Sequence, residues 1–321
     1  MTGAAAAPGS FALRRVAVTG ASGFVGRALC RRLLAEGVAV RALVRGASTG
    51  LTTGCEAHVI GDLEAASHDW PAALRDVDAV FHLAAIANAA TGPVRAVNVH
   101  ATRGLARAAF AGGCRLVHVS SIKVHGDAGR VVVNEQAPLL PDDDYGRSKL
   151  EGERAIEAAG AEAAGQWVAL RPPIVYGPGD RGNFARLIRL ACSGLPLPLA
   201  RVPNRRSMIH VDALADALVR AATLEIAPNR ALVVAGGPPL STPEWLRLIA
   251  GAAGRPLRLW SLPPAWLQAG ASLLGVGGAA QRLLGSLEVD DARWRRLAGW
   301  QPPISQEDAV AATVRAARMA P

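Results

Sequence analysis

Val18-Thr-Gly-Ala-Ser-Gly-Phe-Val-Gly26 stands where an aliphatic run, Arg15 to Thr19 (RVAVT), gives way to a helical pattern, Gly23 to Glu36. Val25, Leu29 and Leu33 form the apolar face of that helix, and Gly20, Gly23 and Gly26 recur every three residues. Between a strand and a helix each glycine has a use. The first permits a tight turn, the second lets backbone approach a pyrophosphate, and the third lets the helix pack closely on a sheet. The helix N-terminus then faces the negative charge. A glycine triplet alone fits any turn; its place between strand and helix gives it meaning.

Working outward, short β-branched runs alternate with helical patterns. Val38 to Val44, Ala57 to Ile60, Ala79 to Leu83, Leu116 to Val119 and Trp167 to Leu170 read as strands. Val94 to Ala111 and Tyr145 to Ala164 read as helices. Continuous apolar strands separated by helices predict a parallel sheet covered on both faces. The fold class is therefore α/β, a doubly wound parallel sheet (Rossmann fold), with a smaller C-terminal substrate-binding lobe. After Arg171 the rhythm breaks up in Pro- and Gly-rich segments. Val211 to Leu224 is a further helix, and Leu232 to Ala235 could return a strand to the main sheet. Ser241 with Glu244 has the form of a capping box, and Ser305 with Asp308 precedes the final helix. The expected division is a tail over 1–13, a dinucleotide-binding domain over 14–175 plus 206–236, and a substrate lobe over 176–205 plus 237–321.

Composition narrows the classes. Of 321 residues 50% are hydrophobic and 19% charged, too apolar a balance for disorder. No apolar run reaches the roughly 18 residues of a membrane span. The nearest, Ala269 to Ala280, contains four glycines. No secretory signal is visible, which points to a cytoplasmic protein. Cys30, Cys55, Cys114 and Cys192 show no metal-ligand spacing and read as free buried thiols, with no metal site expected. The net charge is +9, yet the arginines are scattered without a stacking platform or recognition helix. A nucleic-acid partner is not expected. An anionic small substrate would use one or two of these arginines.

Two constellations carry chemistry. The second strand ends Arg41-Ala-Leu-Val-Arg45, with Val44 where a carboxylate would bind the adenine-ribose hydroxyls and Arg45 next to it. A cation there suits a 2′-phosphate, which favours NADP with NAD as the alternative. Arg45 could equally be a solvated cation. Asp62, after the third strand, is placed for the adenine edge or is a turn aspartate. Tyr145-Gly-Arg-Ser-Lys149 opens a helix, and a spacing of four puts phenol and ammonium on one face. An ammonium there is expected to lower the phenol pKa, so that Tyr145 exchanges a proton with a hydroxyl or carbonyl. Ser121, at the end of the fifth strand, could hold the same oxygen. Tyr145 is one of two tyrosines in the chain.

With these residues the sequence resembles the extended short-chain dehydrogenase/reductase family, the epimerase/dehydratase group. The resemblance is carried by Thr19 to Gly26, Phe81-His-Leu-Ala-Ala85, Asn98, Val119-Ser-Ser121, Tyr145 to Lys149, Arg171-Pro-Pro-Ile-Val-Tyr-Gly-Pro178, Asn183 and Arg206-Ser-Met-Ile-His-Val-Asp212. It is nearest to a bacterial surface-polysaccharide branch of nucleotide-sugar 4-epimerases and 4-ketoreductases. It implies Ser121, Tyr145 and Lys149 as catalytic residues. The cofactor set it implies is Gly20, Ser22, Gly23, Phe24, Val25, Gly26, Arg45, Asp62, Leu63, Leu83, Ala84, Ala85, Asn98, Tyr145, Lys149, Pro172 and Pro173. Ser121, Lys123, Asn183 and Arg206 would contact a nucleotide-sugar substrate, with Asn183 and Arg206 on the diphosphate. Asn183 could instead cap a helix, Arg206 could belong to a solvated cluster with Arg205, and Lys123 could be an exposed loop lysine. His125 and His210 are expected to be structural, and a homodimer is left open.

The resemblance also sorts reactions. The 4,6-dehydratases place two acidic residues after the catalytic hydroxyl, where this chain has Ile122 and Lys123. A dehydratase is disfavoured. Arg45 tilts the expectation to an NADPH-dependent reductase of a nucleotide-4-keto-6-deoxyhexose in polysaccharide biosynthesis. The alternative is a UDP-sugar 4-epimerase resembling UDP-glucose 4-epimerase. A non-catalytic dinucleotide-binding protein is the second alternative, opposed by the intact Ser121, Tyr145 and Lys149.

Overall fold

The computed structural model describes residues 12–46, 50–65, 68–87, 92–126, 132–224, 229–263, 266–267 and 283–319. Most of the expected N-terminal tail and the apolar stretch Ala269 to Ala280 lie outside the described residues.

Seven parallel strands form the main sheet. They are β1 (Arg15–Thr19), β2 (Ala39–Val44), β3 (Glu56–Val59), β4 (Ala79–His82), β5 (Arg115–Val119), β6 (Trp167–Arg171) and, last in sequence, β10 (Arg230–Val233). Their order is β10-β6-β5-β4-β1-β2-β3, so the winding reverses between β1 and β4. In such sheets the crevice beyond the carboxyl ends at the reversal takes the ligand. The Gly20 turn follows β1 there and Leu83–Ala85 follow β4.

Helices α1 (Phe24–Ala35) and α6 (Val211–Thr223) cover one face, closing a core that includes Val18, Leu29, Leu33, Phe81, Leu214 and Leu218. The other face is covered by α2 (Trp70–Ala73), α3 (Thr102–Ala111) and α4 (Asp144–Ala163), over Val80, Leu105, Leu116 and Ile156. The core strands are buried on both sides, which explains why they read as unbroken apolar runs.

The helix expected over Val94 to Ala111 contains a π-helical turn, Ala96–Ala101, before α3. It lies where α4 approaches closely: a Cβ on Gly152 would stand 2.6 Å from the Asn98 carbonyl oxygen. Such turns are frequently found at functional sites.

The remaining elements form the smaller lobe. Strands β7 (Ile174–Tyr176) and β9 (Met208–His210) pair in parallel, as do β8 (Pro196–Leu197) and β11 (Arg258–Leu259). Helices α5 (Asn183–Ala191), α7 (Thr242–Ala253) and α9 (Gln306–Met319) pack around Tyr176, Phe184, Trp245 and Val310. Helix α8 (Ala292–Ala298) precedes α9 and buries Trp294 in the larger core. The Ser241 capping box is present, and the Ser305 hydroxyl accepts from the Asp308 amide at 3.1 Å. All four cysteines are free, with Cys30 and Cys114 buried but Cys55 and Cys192 only half-buried.

Candidate active site

The glycine turn has the expected spatial logic. Gly20 adopts φ +70°, and a Cβ there would stand 2.8 Å from the Ala84 amide nitrogen. A Cβ on Gly26 would fall 2.0 Å from the Gly20 carbonyl, so helix and turn touch through backbone. Gly23 is the N-cap of α1 and offers no side-chain cap, leaving the first amides of the helix for an anion. In front of it lies a cleft of about 860 Å³ lined by Gly20, Ser22, Gly23, Arg45, Asp62, Leu63, Ala84 and Ala85 among others. This shape and these donors fit a dinucleotide. Phe24, Val25 and Gly26 form the first turn of α1. Val44 ends β2 on the cleft wall without a carboxylate, and Arg45 at the rim pairs with Asp62 (Nε–Oδ1 2.6 Å).

A buried polar chain fixes the wall opposite. The Thr19 hydroxyl accepts from the Leu83 and Ala84 amides, each at 3.2 Å, and lies 2.8 Å from His82 Nδ1. His82 Nε2 lies 2.8 Å from the Thr102 hydroxyl, which donates to the Asn98 carbonyl at 2.9 Å. With two amides donating to Thr19, its own proton goes to His82, so the imidazole carries hydrogen on Nε2. Burial, helped by nearby Lys149, pushes the His82 pKa down to about 3. Asn98 clamps Ile86 through both amide atoms at 2.8 Å and donates to Ser148 at 2.9 Å. It therefore sits behind the cleft and ties it to α4.

Tyr145, Lys149 and Glu153 follow one another at intervals of four along α4, on one helical face. Ser121 lies close enough to Tyr145 to favour its ionised form, and it opens a 3₁₀ turn over Ile122–His125. The serine, the tyrosine and the lysine are thus brought together. The expected lowering of the phenol pKa is not found in this structure: burial, then the Asp143 carboxylate, push Tyr145 up to about 12, and Ser121 only partly opposes them. The physical reason is desolvation, which also takes Lys149 down to about 8 against the pull of Glu153. Lys123 is about half exposed and forms an ion pair with Asp143, the N-cap of α4.

Beneath these groups lies a network that sequence reasoning missed. Arg171, at the end of β6, grips Glu153 with two bonds (Nε–Oε1 2.9 Å, Nη2–Oε2 2.5 Å), both side chains being buried. Its third arm meets His125 at 3.2 Å. His125 also lies 3.1 Å from the Ala137 and Pro138 carbonyls, and His210 caps α6, so both histidines have structural partners. The chain then continues into buried Pro172 and Pro173. A readable signal existed in the even spacing from Lys149 to Glu153. Another is that Lys123 and Lys149 are the only lysines in the chain.

A second cavity, of about 230 Å³, lies in the smaller lobe. Asn183, Arg186 and Arg206 line it above Ile174, Leu190, Met208 and Trp245. Asn183 is the first residue of α5 and Gly182 is the cap, so the capping alternative does not hold. Arg206 Nη1 donates to the Gly285 carbonyl at 2.9 Å, while Arg205 pairs with Glu288 at 3.0 Å. The two neighbours face different surroundings. Arg186 was not singled out from the sequence.

Comparison with known proteins places these features in a family. The model described as NAD dependent epimerase/dehydratase family matches residues 16–235. The chain is 33% identical to a UDP-glucose 4-epimerase of Vibrio cholerae, over 94% of this chain and 95% of that protein. It is 29% identical to MoeE5, solved in complex with UDP-glucose and NAD, with TM-score 0.73 over 95% of this chain and 98% of that one. The UDP-N-acetylglucosamine 4-epimerase of Bacillus cereus shares the fold at 22% identity, with TM-score 0.76 over 96% of this chain and 98% of that one.

Proposed function

This chain belongs to the NAD dependent epimerase/dehydratase family, and we propose that within it the protein is a UDP-hexose 4-epimerase that retains NAD. The reading rests above all on one relationship: Tyr145 and Lys149 share a face of α4, Ser121 lies against Tyr145, and β5 delivers Ser121 to the same carboxyl edge of the sheet as the Gly20 turn. The Vibrio cholerae relative, matched over nearly the full length of both proteins, supports epimerisation over reduction of a 4-keto-6-deoxyhexose.

Tyr145 is the proton-exchanging group. As the tyrosinate it takes the C4 hydroxyl proton while the sugar is oxidised, and as the phenol it returns that proton when the hydride comes back. Ser121, beside the phenol, orients the same substrate oxygen. Lys149, next on the same face of α4, is the cation assigned to favour the tyrosinate; burial lowers its own pKa to about 8. A bound nicotinamide supplies the chemistry of accepting the C4 hydride and giving it back. Asn183, Arg186 and Arg206 hold the diphosphate in the second cavity. Anchoring there leaves the keto sugar free to turn and offer its other face.

The cofactor preference follows from Arg45. Paired with Asp62, it presents a neutral couple to the adenosine ribose, and Asp62 supplies the carboxylate that β2 lacks. That supports NAD. The reductase using NADPH remains the second reading because Arg45 does line the cleft.

Purified protein incubated with UDP-glucose and no added cofactor should produce UDP-galactose. Tyr145→Phe should slow this by ~100-fold or more while cofactor still binds. Turnover only with added NADPH and a keto sugar would select the reductase. Unaltered turnover in Tyr145→Phe would remove the tyrosine from the chemistry.

A further inference from the structure

Against 35 basic residues in all, lysine occurs at two positions, Lys149 in the catalytic set and Lys123 two residues after Ser121. Lysine's compact ammonium is not interchangeable with a guanidinium fork. Lys123 Nζ pairs with Asp143 Oδ2, while Oδ1 of the same carboxylate accepts from the Gly146 amide at 2.7 Å and caps α4. The backbones also touch: a Cβ on Gly146 would stand 2.5 Å from the Lys123 carbonyl oxygen. The segment carrying Ser121 and the first turn carrying Tyr145 are therefore locked together at Asp143.

We propose that Lys123 is a positioning residue for Tyr145: it clamps the cap of the tyrosine's helix and neutralises a carboxylate that would otherwise oppose tyrosinate formation. This deepens the epimerase reading and rests on Tyr145 as its acid–base group. Asp143 acts on Tyr145 through its charge, after burial, in the unfavourable direction. Its own pKa is lowered, since Lys123 and the Gly146 amide outweigh burial. The other charges at this corner are differently engaged. Asp144 pairs with Arg147 at 2.7 Å, Asp142 is exposed on the approach to α4, and Lys149 lies one turn deeper. His125, on the turn of Lys123 itself, is held by Arg171 and two carbonyls. Arg147, paired with Asp144, also lowers Asp143 through its charge, and Lys123 is the cation in direct contact with that carboxylate. Both partners are partly exposed, so solvent limits the effect to several-fold.

The test uses Lys123→Met, Lys123→Arg, Asp143→Asn and the Lys123→Met/Asp143→Asn double variant, Asn being a good N-cap in its own right. Two readouts are taken. One is the pH dependence of kcat with UDP-glucose. The other is the ¹³Cζ resonance of Tyr145, one of two tyrosines, followed from pH 7 to 11.5 in the NAD-loaded protein. Lys123→Met should move the rising limb of kcat upward by about half a pH unit, a roughly 3-fold loss on that limb, with KM unchanged. Lys123→Arg should restore most of it, Asp143→Asn should move the limb and the onset of tyrosine titration downward, and the double variant should return near wild type. An unmoved limb and resonance in Lys123→Met would overturn the proposal. So would a raised KM with an unmoved limb, which would make Lys123 a substrate contact. If wild type does not epimerise UDP-glucose, the functional reading fails by itself and the resonance still decides the role of Lys123.

Discussion

Arg45 Nε lies 2.6 Å from Asp62 Oδ1 across the rim of the dinucleotide cleft. This pairing turns a residue that reads as a 2′-phosphate site into half of a neutral couple. Arg45→Ala should therefore change NAD and NADP affinity by similar factors, within about threefold, as for an exposed ion pair. Asp62→Ala should weaken NAD more than Arg45→Ala does. Titration calorimetry with both dinucleotides checks this. A loss confined to NADP in Arg45→Ala would restore the phosphate-bearing cofactor.

Arg206 and Arg205 provide an internal comparison, one lining the second cavity and the other paired with Glu288. Loss of charge-assisted bonds to a diphosphate costs about 1.5–3 kcal/mol, or ~10- to ~100-fold. Arg206→Ala should raise KM for UDP-glucose by that factor with little change in NAD affinity, and Arg205→Ala should not. Arg186→Ala should resemble Arg206→Ala. Steady-state kinetics would count against the diphosphate assignment if all three variants kept the wild-type KM.

Glu153 and Arg171 form a buried pair joining α4 to the end of β6. Arg171→Met leaves a buried carboxylate without its partner, at a cost of about 3–5 kcal/mol. Replacing both residues by Met should recover most of that loss, because no unpaired charge remains. Denaturant unfolding reads the difference. A single-variant loss below about 1 kcal/mol would mean that water already satisfies Glu153.

Much of this arrangement was legible in the sequence, and the reasons are local. The β1–Gly20–α1 junction and the Tyr145–Lys149 spacing depend on residues a few positions apart, where periodicity and glycine geometry speak directly. Strands β7, β8, β9 and β11, two or three residues each, are too short to show a period. The Arg171–Glu153–His125 network joins residues separated by 18 and 46 positions and leaves no local pattern. Arg45 lies on the rim of the cleft, and its partner Asp62, in the loop after β3, leaves no trace in the β2 pattern. The direction of the Tyr145 shift was misjudged because spacing reveals a neighbouring charge and says nothing of desolvation.

His82 and His118 stack with ring centroids 5.2 Å apart, fully buried, and both His118 nitrogens lack a hydrogen-bond partner. Burial, with Lys149 nearby, depresses both pKa values, His82 to about 3 and His118 well below its usual value. The unfolded chain then binds more protons than the folded one as pH falls below ~6.5, so stability rises with pH through that window and is lost towards acid. Each histidine should account for about 2 kcal/mol between pH 7 and pH 5. His118→Phe should raise the melting temperature and flatten its dependence between pH 7 and 5. Equal slopes in wild type and variant would show that His118 takes up its proton alike in the folded and unfolded states.

In the proposed epimerisation one bound nicotinamide would take the C4 hydrogen and return it while Tyr145 handles the proton. UDP-glucose deuterated at C4, incubated with purified protein and no added cofactor, tests it directly. UDP-galactose that keeps its deuterium at C4, seen by mass and NMR, is the expected product. Loss of the label to solvent, or product formed only when NADPH is supplied, would contradict it.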